Sequence, residues 1–227
     1  MSNSYEIEIK SLLGTKENAE KLKRRMQEYD PSCRLVATYR AHLNHYFAGG
    51  DLYSLGAAMT NYLDSQTSER LFAAISQAKD FSLRSRSADG NIFLVLKVAV
   101  DDSTSANGAG RLEFEASIKN VTLEKLDQLI LSCGFSYQAK WSREREEYEF
   151  CGARVAIDKN AGYGYLAEFE IVTDDAGKIE ETKADLRGLM AKVGAEELEA
   201  ARLERMFAYY NSHWPEYYGT GKVFTVA

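Results

Sequence analysis

Hydrophobic and polar positions alternate with a period of two at the start of the chain. Tyr5-Glu6-Ile7-Glu8-Ile9-Lys10 puts Ile7 and Ile9 on one side of an extended segment and Glu6, Glu8 and Lys10 on the other, which predicts a strand over residues 4–11. The period then changes. Ala19, Leu22, Met26 and Tyr29 recur at helical spacing behind Thr15, a good N-cap, and Pro31 ends the helix. Residues 35–47, rich in Val, Thr, Tyr and Phe, read as extended, and residues 48–80 as one or two short helices carrying Leu55, Met59, Leu63, Leu71, Phe72 and Ile75. A strand containing Arg84 and Arg86 follows, with Asp89-Gly90 as a hairpin turn into a return strand from Ile92 to Val100. After a Ser/Gly/Asn loop over 101–110 comes a strand from Arg111 to Ile118. Thr122 should cap a helix with the apolar stripe Leu123, Leu126, Ile130 and Cys133, stopped by Gly134. Strands are expected at 138–149, 153–158 and 164–173, then helices at 176–193 and 195–210, an aromatic tail from Ser212, and a last strand over 222–226.

Composition narrows the class. The 227 residues are enough to bury a sizeable core, and 45% hydrophobic with 27% charged residues is ordinary for a globular protein. Two prolines and no Pro/Ser-rich linker favour one unit over 1–227, with a helical insertion at 48–80 and an aromatic extension at 212–227. A net charge of −6 argues against a broad surface for duplex nucleic acid. Cys33, Cys133 and Cys151 lack metal-ligand spacing and read as reduced thiols. With no apolar leader and no run of about 20 apolar residues, the expectation is a cytoplasmic protein without a membrane partner; a homodimer is left open. Neither a G-x-G-x-x-G nor a Walker loop is present.

The candidate chemistry lies on the polar parity of the strands. Glu6, Glu8 and Lys10 are joined by Arg84 and Arg86, Lys97, Glu113 and Glu115, Arg143 and Arg145, Asp158, and Glu168 and Glu170. Taken pair by pair, these are ordinary solvated strand faces with ion pairs worth ~0–1 kcal/mol. Taken together, apolar sides packed under helices would make the charged sides converge. Such an interior is a poor source of stability, because buried ion pairs roughly break even. A metal-complexed polyphosphate gives it a purpose: carboxylates take Mg²⁺ or Mn²⁺, and Arg and Lys take phosphate oxygens. His42 and His45, three apart on an extended segment, point to opposite faces and do not suggest a shared metal. Glu196, Glu197, Glu199 and Glu204 read as a solvated face, and Trp214, Tyr217 and Tyr218 as a satellite core contact.

At this point the chain resembles the CYTH superfamily, the triphosphate tunnel metalloenzymes, whose members include class IV adenylyl cyclases, thiamine triphosphatases and inorganic tripolyphosphatases. The E-x-E-x-K signature matches Glu6, Glu8 and Lys10; L-R-x-R matches Leu83-Arg84-Ser85-Arg86; the following strand lysine matches Lys97; the central E-x-E matches Glu113 and Glu115. The late aspartate, Gly-containing turn and E-x-E match Asp158, Gly164, Glu168 and Glu170. Two departures stand out: K-x-R appears as Arg143-Glu144-Arg145, and Tyr-Phe-Asp as Tyr46-Phe47-Ala48. The resemblance implies an α+β fold, an eight-stranded antiparallel β-barrel tunnel with helices packed outside. It implies two Mg²⁺ or Mn²⁺ ions held by Glu6, Glu8, Asp158, Glu168 and Glu170. It implies a phosphate clamp of Lys10, Arg84, Arg86, Lys97, Arg143 and Arg145, and water activation by Glu113, Glu115 or Glu170. The expected activity is metal-dependent hydrolysis of a small-molecule triphosphate (tripolyphosphate, thiamine triphosphate or a nucleoside triphosphate). The alternatives are class IV-type cyclisation of ATP to cyclic AMP and pyrophosphate, with Tyr46, Phe47, Tyr163 and Tyr165 as contributors to an adenine pocket, and a non-catalytic polyphosphate-binding module.

Overall fold

The computed structural model describes residues 5–99 and 111–225. The loop expected over 101–110, the strand end at Val100 and the residue Val226 lie outside the described residues, as does the side chain of Arg111. The strands are β1 (Tyr5–Gly14), β2 (Arg34–Gly49), β3 (Asp80–Ala88), β4 (Asn91–Ala99), β5 (Arg111–Ser117), β6 (Phe135–Phe150), β7 (Ala153–Asn160) and β8 (Gly164–Thr173). The helices are α1 (Lys16–Tyr29), α2 (Leu52–Met59), α3 (Ser65–Gln77), α4 (Leu123–Ser132), α5 (Ile179–Lys192) and α6 (Ala200–Tyr217). The eight strands form one sheet in the order β1-β8-β7-β6-β2-β3-β4-β5, and the registered pairs described are antiparallel. This is the eight-stranded α+β fold that the resemblance implies.

The described residues fall into two compact units, one of 5–40 with 143–225, the other of 41–99 with 111–142. In the first, the apolar parity of β1, β7 and β8 (Ile7, Ile9, Val155, Ile157, Phe169) meets Ala19, Leu22 and Met26 of α1 and Leu186 and Met190 of α5. Thr15 caps α1 as expected, its Oγ1 accepting from the Asn18 N–H at 3.3 Å. In the second, Leu83, Leu94, Leu96, Val98 and Phe114 meet Leu55 and Met59 of α2, Leu71 and Ile75 of α3, and Leu126 and Ile130 of α4. In both units the helices cover the apolar face of the sheet, leaving the opposite parity to the charged residues.

Two hairpins fix the register. Asp89-Gly90 (φ 47° and 87°) and Cys151-Gly152 (φ 48° and 79°) both have the paired positive φ of the two-residue turn that suits strand twist. Gly164 is required for a separate reason: at φ +72°, a Cβ there would lie 2.3 Å from the Gly14 carbonyl oxygen, where β8 meets β1.

The C-terminal third departs from the sequence expectation. Residues 176–178 form a single 3₁₀ turn before α5. α6 starts at Ala200 rather than near 195. The preceding segment is spent on the sheet: Leu198 N–H donates to the Lys10 carbonyl at 2.7 Å, covering part of the open edge of β1. α6 then runs through Ser212 to Tyr217, so Trp214 and Tyr217 are helical rather than part of a loose tail. Pro215 falls in its last turn, where it removes only one intrahelical bond. Among the described residues of the expected strand over 222–226 there is a single bridge, Gly162 with Val223. Through it Phe224 packs on Tyr163, Tyr209 and Tyr217, a satellite aromatic core.

Candidate active site

Cross-strand register puts the sequence-predicted residues of the first unit on one face. Glu8 lies opposite Glu170 and Lys10 opposite Glu168 between β1 and β8, and Arg145 lies opposite Asp158 between β6 and β7. Lys10 forms ion pairs with Glu8 and, at 3.5 Å, with Glu168. Asp158, with no exposed surface, accepts from Arg145 Nε and Nη2 and from Arg143 Nη1, each at 2.7 Å. Arg145 Nη2 also donates to Glu168 at 2.5 Å. Asp158 therefore acts in this structure as the anchor that holds both arginines. Burial opposes the charge on Glu168, but Lys10, Arg145 and Arg143 outweigh it and hold its carboxyl well below the usual range. Glu170 goes the other way: burial and the neighbouring Glu6, which shares a hydrogen bond with it, push its pKa up to about 7.

The second unit carries a smaller face. Arg84 Nη1 donates to the Tyr46 hydroxyl at 2.8 Å and lies over the Tyr46 ring, 5.5 Å from its centroid. Arg86 donates from Nε to Asn44 Oδ1 at 3.2 Å and from Nη1 to Glu115 at 2.7 Å. Lys97 pairs with Glu113 at 3.0 Å, and Arg84 Nη2 lies 3.7 Å from the same carboxylate. Burial works against the Arg84 charge, and Tyr46, Glu113 and Glu115 more than offset it, so its pKa is raised.

The two faces differ in balance. In the first unit, Lys10, Arg143 and Arg145 meet Glu6, Glu8, Asp158, Glu168 and Glu170, an excess of acid. In the second, Arg84, Arg86 and Lys97 meet Glu113 and Glu115, an excess of base. Among the described residues, no three His, Cys, Asp or Glu side chains form a ready-made metal-ligand cluster. The donor chemistry nonetheless fits a hard cation. Burial and the adjacent Glu6 raise the pKa of the Glu170 carboxyl, and a divalent ion would relieve the repulsion between the two carboxylates.

A CYTH domain model matches residues 67–202. The chain belongs to the CYTH family. The match begins after the Glu6-x-Glu8-x-Lys10 strand, which β-pairing nevertheless sets directly against the Glu168-x-Glu170 strand inside it. CYTH proteins are typically enzymes acting on triphosphates, and the triphosphate tunnel metalloenzymes among them use divalent metals. No curated protein matches the chain in sequence. Among solved structures, the PH1819 protein of Pyrococcus horikoshii is similar at 19% identity and a TM-score of 0.60, over 90% of this chain and 99% of that one. The PH1012 protein of the same organism is similar at 18% identity and a TM-score of 0.59, over 85% and 92%. A Vibrio parahaemolyticus protein, provisionally named an adenylate cyclase, is similar at 13% identity and a TM-score of 0.58, over 90% and 98%. These likenesses show the fold. No helix of the described residues is long and apolar enough to cross a membrane.

Several residues on these faces were not picked out from the sequence. Glu147 lies opposite Ala156 and its carboxylate is 3.9 Å from Arg145 Nη1; Arg154 lies opposite Glu170. Continuing the alternation of Arg143 and Arg145 by two residues would have found Glu147. Trp141 is two residues before Arg143 on β6, and its ring meets the Tyr46 ring edge-on at 6.5 Å. Of the aromatics expected beside a base, only Tyr46 stands among the clamp residues. Phe47 is buried in the apolar core, Tyr163 belongs to the C-terminal aromatic cluster, and Tyr165 lines a cavity of about 370 Å³ beside α1.

Proposed function

We propose that the protein is a metal-dependent triphosphatase. The observation that carries this reading is the split in charge: an acid-rich strand face in one unit and a base-rich face in the other, both built from the CYTH motif residues in order. Glu6, Glu8 and Glu170 would hold a Mg²⁺ or Mn²⁺ ion, and two such ions fit the number of carboxylates on that face, Glu168 included. When bound, the ions neutralise phosphate oxygens and polarise the attacked phosphorus. Arg84, Arg86 and Lys97 bind phosphate oxygens, joined by Lys10, Arg143 and Arg145. A carboxylate of Glu113, Glu115 or Glu170 takes the proton from the attacking water or orients it. Glu113 and Glu115 hold Lys97 and Arg86 in place and orient water. Charge building on the leaving diphosphate is met by the guanidinium groups.

Tyr46, which bonds Arg84 and meets Trp141 edge-on, favours a substrate with a flat ring, thiamine triphosphate or a nucleoside triphosphate, over inorganic tripolyphosphate. Ring stacking is worth ~1–3 kcal/mol per base on such side chains. The same pair keeps cyclisation of ATP as the second reading, and product identity separates the two. Purified protein is incubated with Mg²⁺ or Mn²⁺ and each of the three triphosphates. Phosphate release is expected, fastest with a ring-bearing substrate. Cyclic AMP with pyrophosphate would replace the first reading by the second, and tight binding without products would leave a binding module.

A further inference from the structure

We infer that Asp127, on the far side of the sheet from the clamp, is a positioning residue for the phosphate-binding arginines. The inference rests on the triphosphatase reading. α4 buries Leu123, Leu126 and Ile130, and on the same inward stripe it carries Asp127, only 2% exposed. An unpaired carboxylate there would cost several kcal/mol. It is fully engaged: Oδ1 accepts from Ser85 Oγ at 2.5 Å, and Oδ2 accepts from Tyr137 Oη and bonds His45 Nδ1, each at 2.7 Å.

The location of those partners gives the network its meaning. Ser85 lies between Arg84 and Arg86 on β3, and His45 lies between Asn44 and Tyr46 on β2. Ser85 and His45 are paired in register. Arg86 is bonded to Asn44 and Arg84 to Tyr46 on the opposite face. One carboxylate therefore grips, from behind, the centre of a patch whose front carries both arginines and the side chains that orient them. Apolar residues in place of Asp127, Ser85 and His45 together would pack α4 as well and remove a desolvation cost, because apolar replacement of a whole buried polar group is often neutral or stabilising. What such packing cannot do is fix the height and register of β2 and β3 at the clamp.

The test uses the full-length protein and tripolyphosphate, the part shared by every triphosphate. Affinity is read by calorimetry and folding by circular dichroism and urea titration. Asp127→Asn and Ser85→Ala are each expected to bind about tenfold more weakly while folded, the scale of one displaced hydrogen bond. Ile130→Val loosens α4 without touching the carboxylate, and it should lose stability yet keep wild-type affinity. Wild-type affinity in folded Asp127→Asn or Ser85→Ala would overturn the inference. So would a loss of affinity in Ile130→Val equal to theirs, because any weakening of α4 would then suffice. If Asp127→Asn fails to fold, Ser85→Ala decides alone. Arg86→Ala separates the two claims: unchanged affinity in that variant overturns the triphosphatase reading itself, and this inference with it.

Discussion

Removing the Asp158 carboxylate is the sharpest test of how the first unit is held together. Asp158 is fully buried and receives three charge-assisted bonds at 2.7 Å from Arg143 and Arg145. At ~1.5–3 kcal/mol each, three such bonds would sum to ~4.5–9 kcal/mol, a large share of a whole domain's usual margin, but bonds that share one carboxylate are not additive. The relevant comparison is a buried pair that loses one partner, which costs ~3–5 kcal/mol because the remaining charge is left uncompensated. Arg145 keeps Glu168 at 2.5 Å, which places Asp158→Asn toward the lower end of that range and Asp158→Ala toward the upper. For a chain of this length, ~2–4 °C per kcal/mol translates this into a fall in Tm of about 6–20 °C. The assay is urea and thermal unfolding by circular dichroism with a chelator present, so that no metal contributes. A loss below about 1 kcal/mol would refute the reasoning, since it would mean that Arg143 and Arg145 find equal partners in Glu147 and water.

Other perturbations have equally definite outcomes. Glu8→Gln should abolish turnover with the far-UV spectrum unchanged, and near-normal phosphate release would count against metal binding at Glu8. Arg86→Ala should raise KM by about 10- to 100-fold, the worth of charge-assisted hydrogen bonds to phosphate, and an unchanged KM would remove it from the clamp. Glu170, with its folded pKa raised to about 7, binds a proton that the unfolded chain releases above its ordinary 4.5, so stability should fall as pH rises from about 4.5 to 7. Glu168, depressed by Lys10, Arg145 and Arg143 against burial, contributes with the opposite sign, losing its stabilisation as pH falls below 4.5. Glu6→Gln should flatten the upper slope and leave the lower one, as measured by urea unfolding across pH; an undiminished upper slope would sink the Glu6–Glu170 pairing. Gly164→Ala should cost about 2 kcal/mol or more in the same assay, because a methyl there meets both a positive φ and the Gly14 carbonyl.

Strand parity made most of the candidate site readable from sequence, because a period of two sorts side chains to faces without knowledge of the fold. It assigned Glu6, Glu8 and Lys10, Arg84 and Arg86, and Glu168 and Glu170 to the polar side, where the structure has them. Parity does not say which residues meet across strands. That Asp158 meets Arg145 depends on the two-residue turn at Cys151-Gly152; a one-residue slip would set an isoleucine or a lysine opposite Arg145. The Asp127 knot was within reach of the sequence. An acid four residues after Leu123 interrupts the apolar stripe of α4, and only a buried partner tolerates that. What it could not supply was the partner, since His45 and Ser85 lie 82 and 42 residues away. The late start of α6 was hidden for a similar reason, because the segment before it is held by a bond to the edge of β1 rather than by local propensity.

The charge on each polar face exceeds what stability asks for, and the signs of the two excesses differ. In the second unit, Glu113 and Glu115 are fewer than the cations beside them, and exposed pairs of that kind add ~0–1 kcal/mol each. In the first, the surplus acid is accommodated by keeping a proton on Glu170, and the fold weakens as that proton is lost toward pH 7. Neither arrangement would be favoured by folding alone, where a β-branched apolar residue at Glu6 would serve a strand better. Metal ions would relieve the acid surplus of the first unit's face and phosphate oxygens the basic surplus of the second's, and the proposed substrate supplies both. The wild-type protein should therefore gain more thermal stability from Mg²⁺ and tripolyphosphate together than the sum of the gains from each alone.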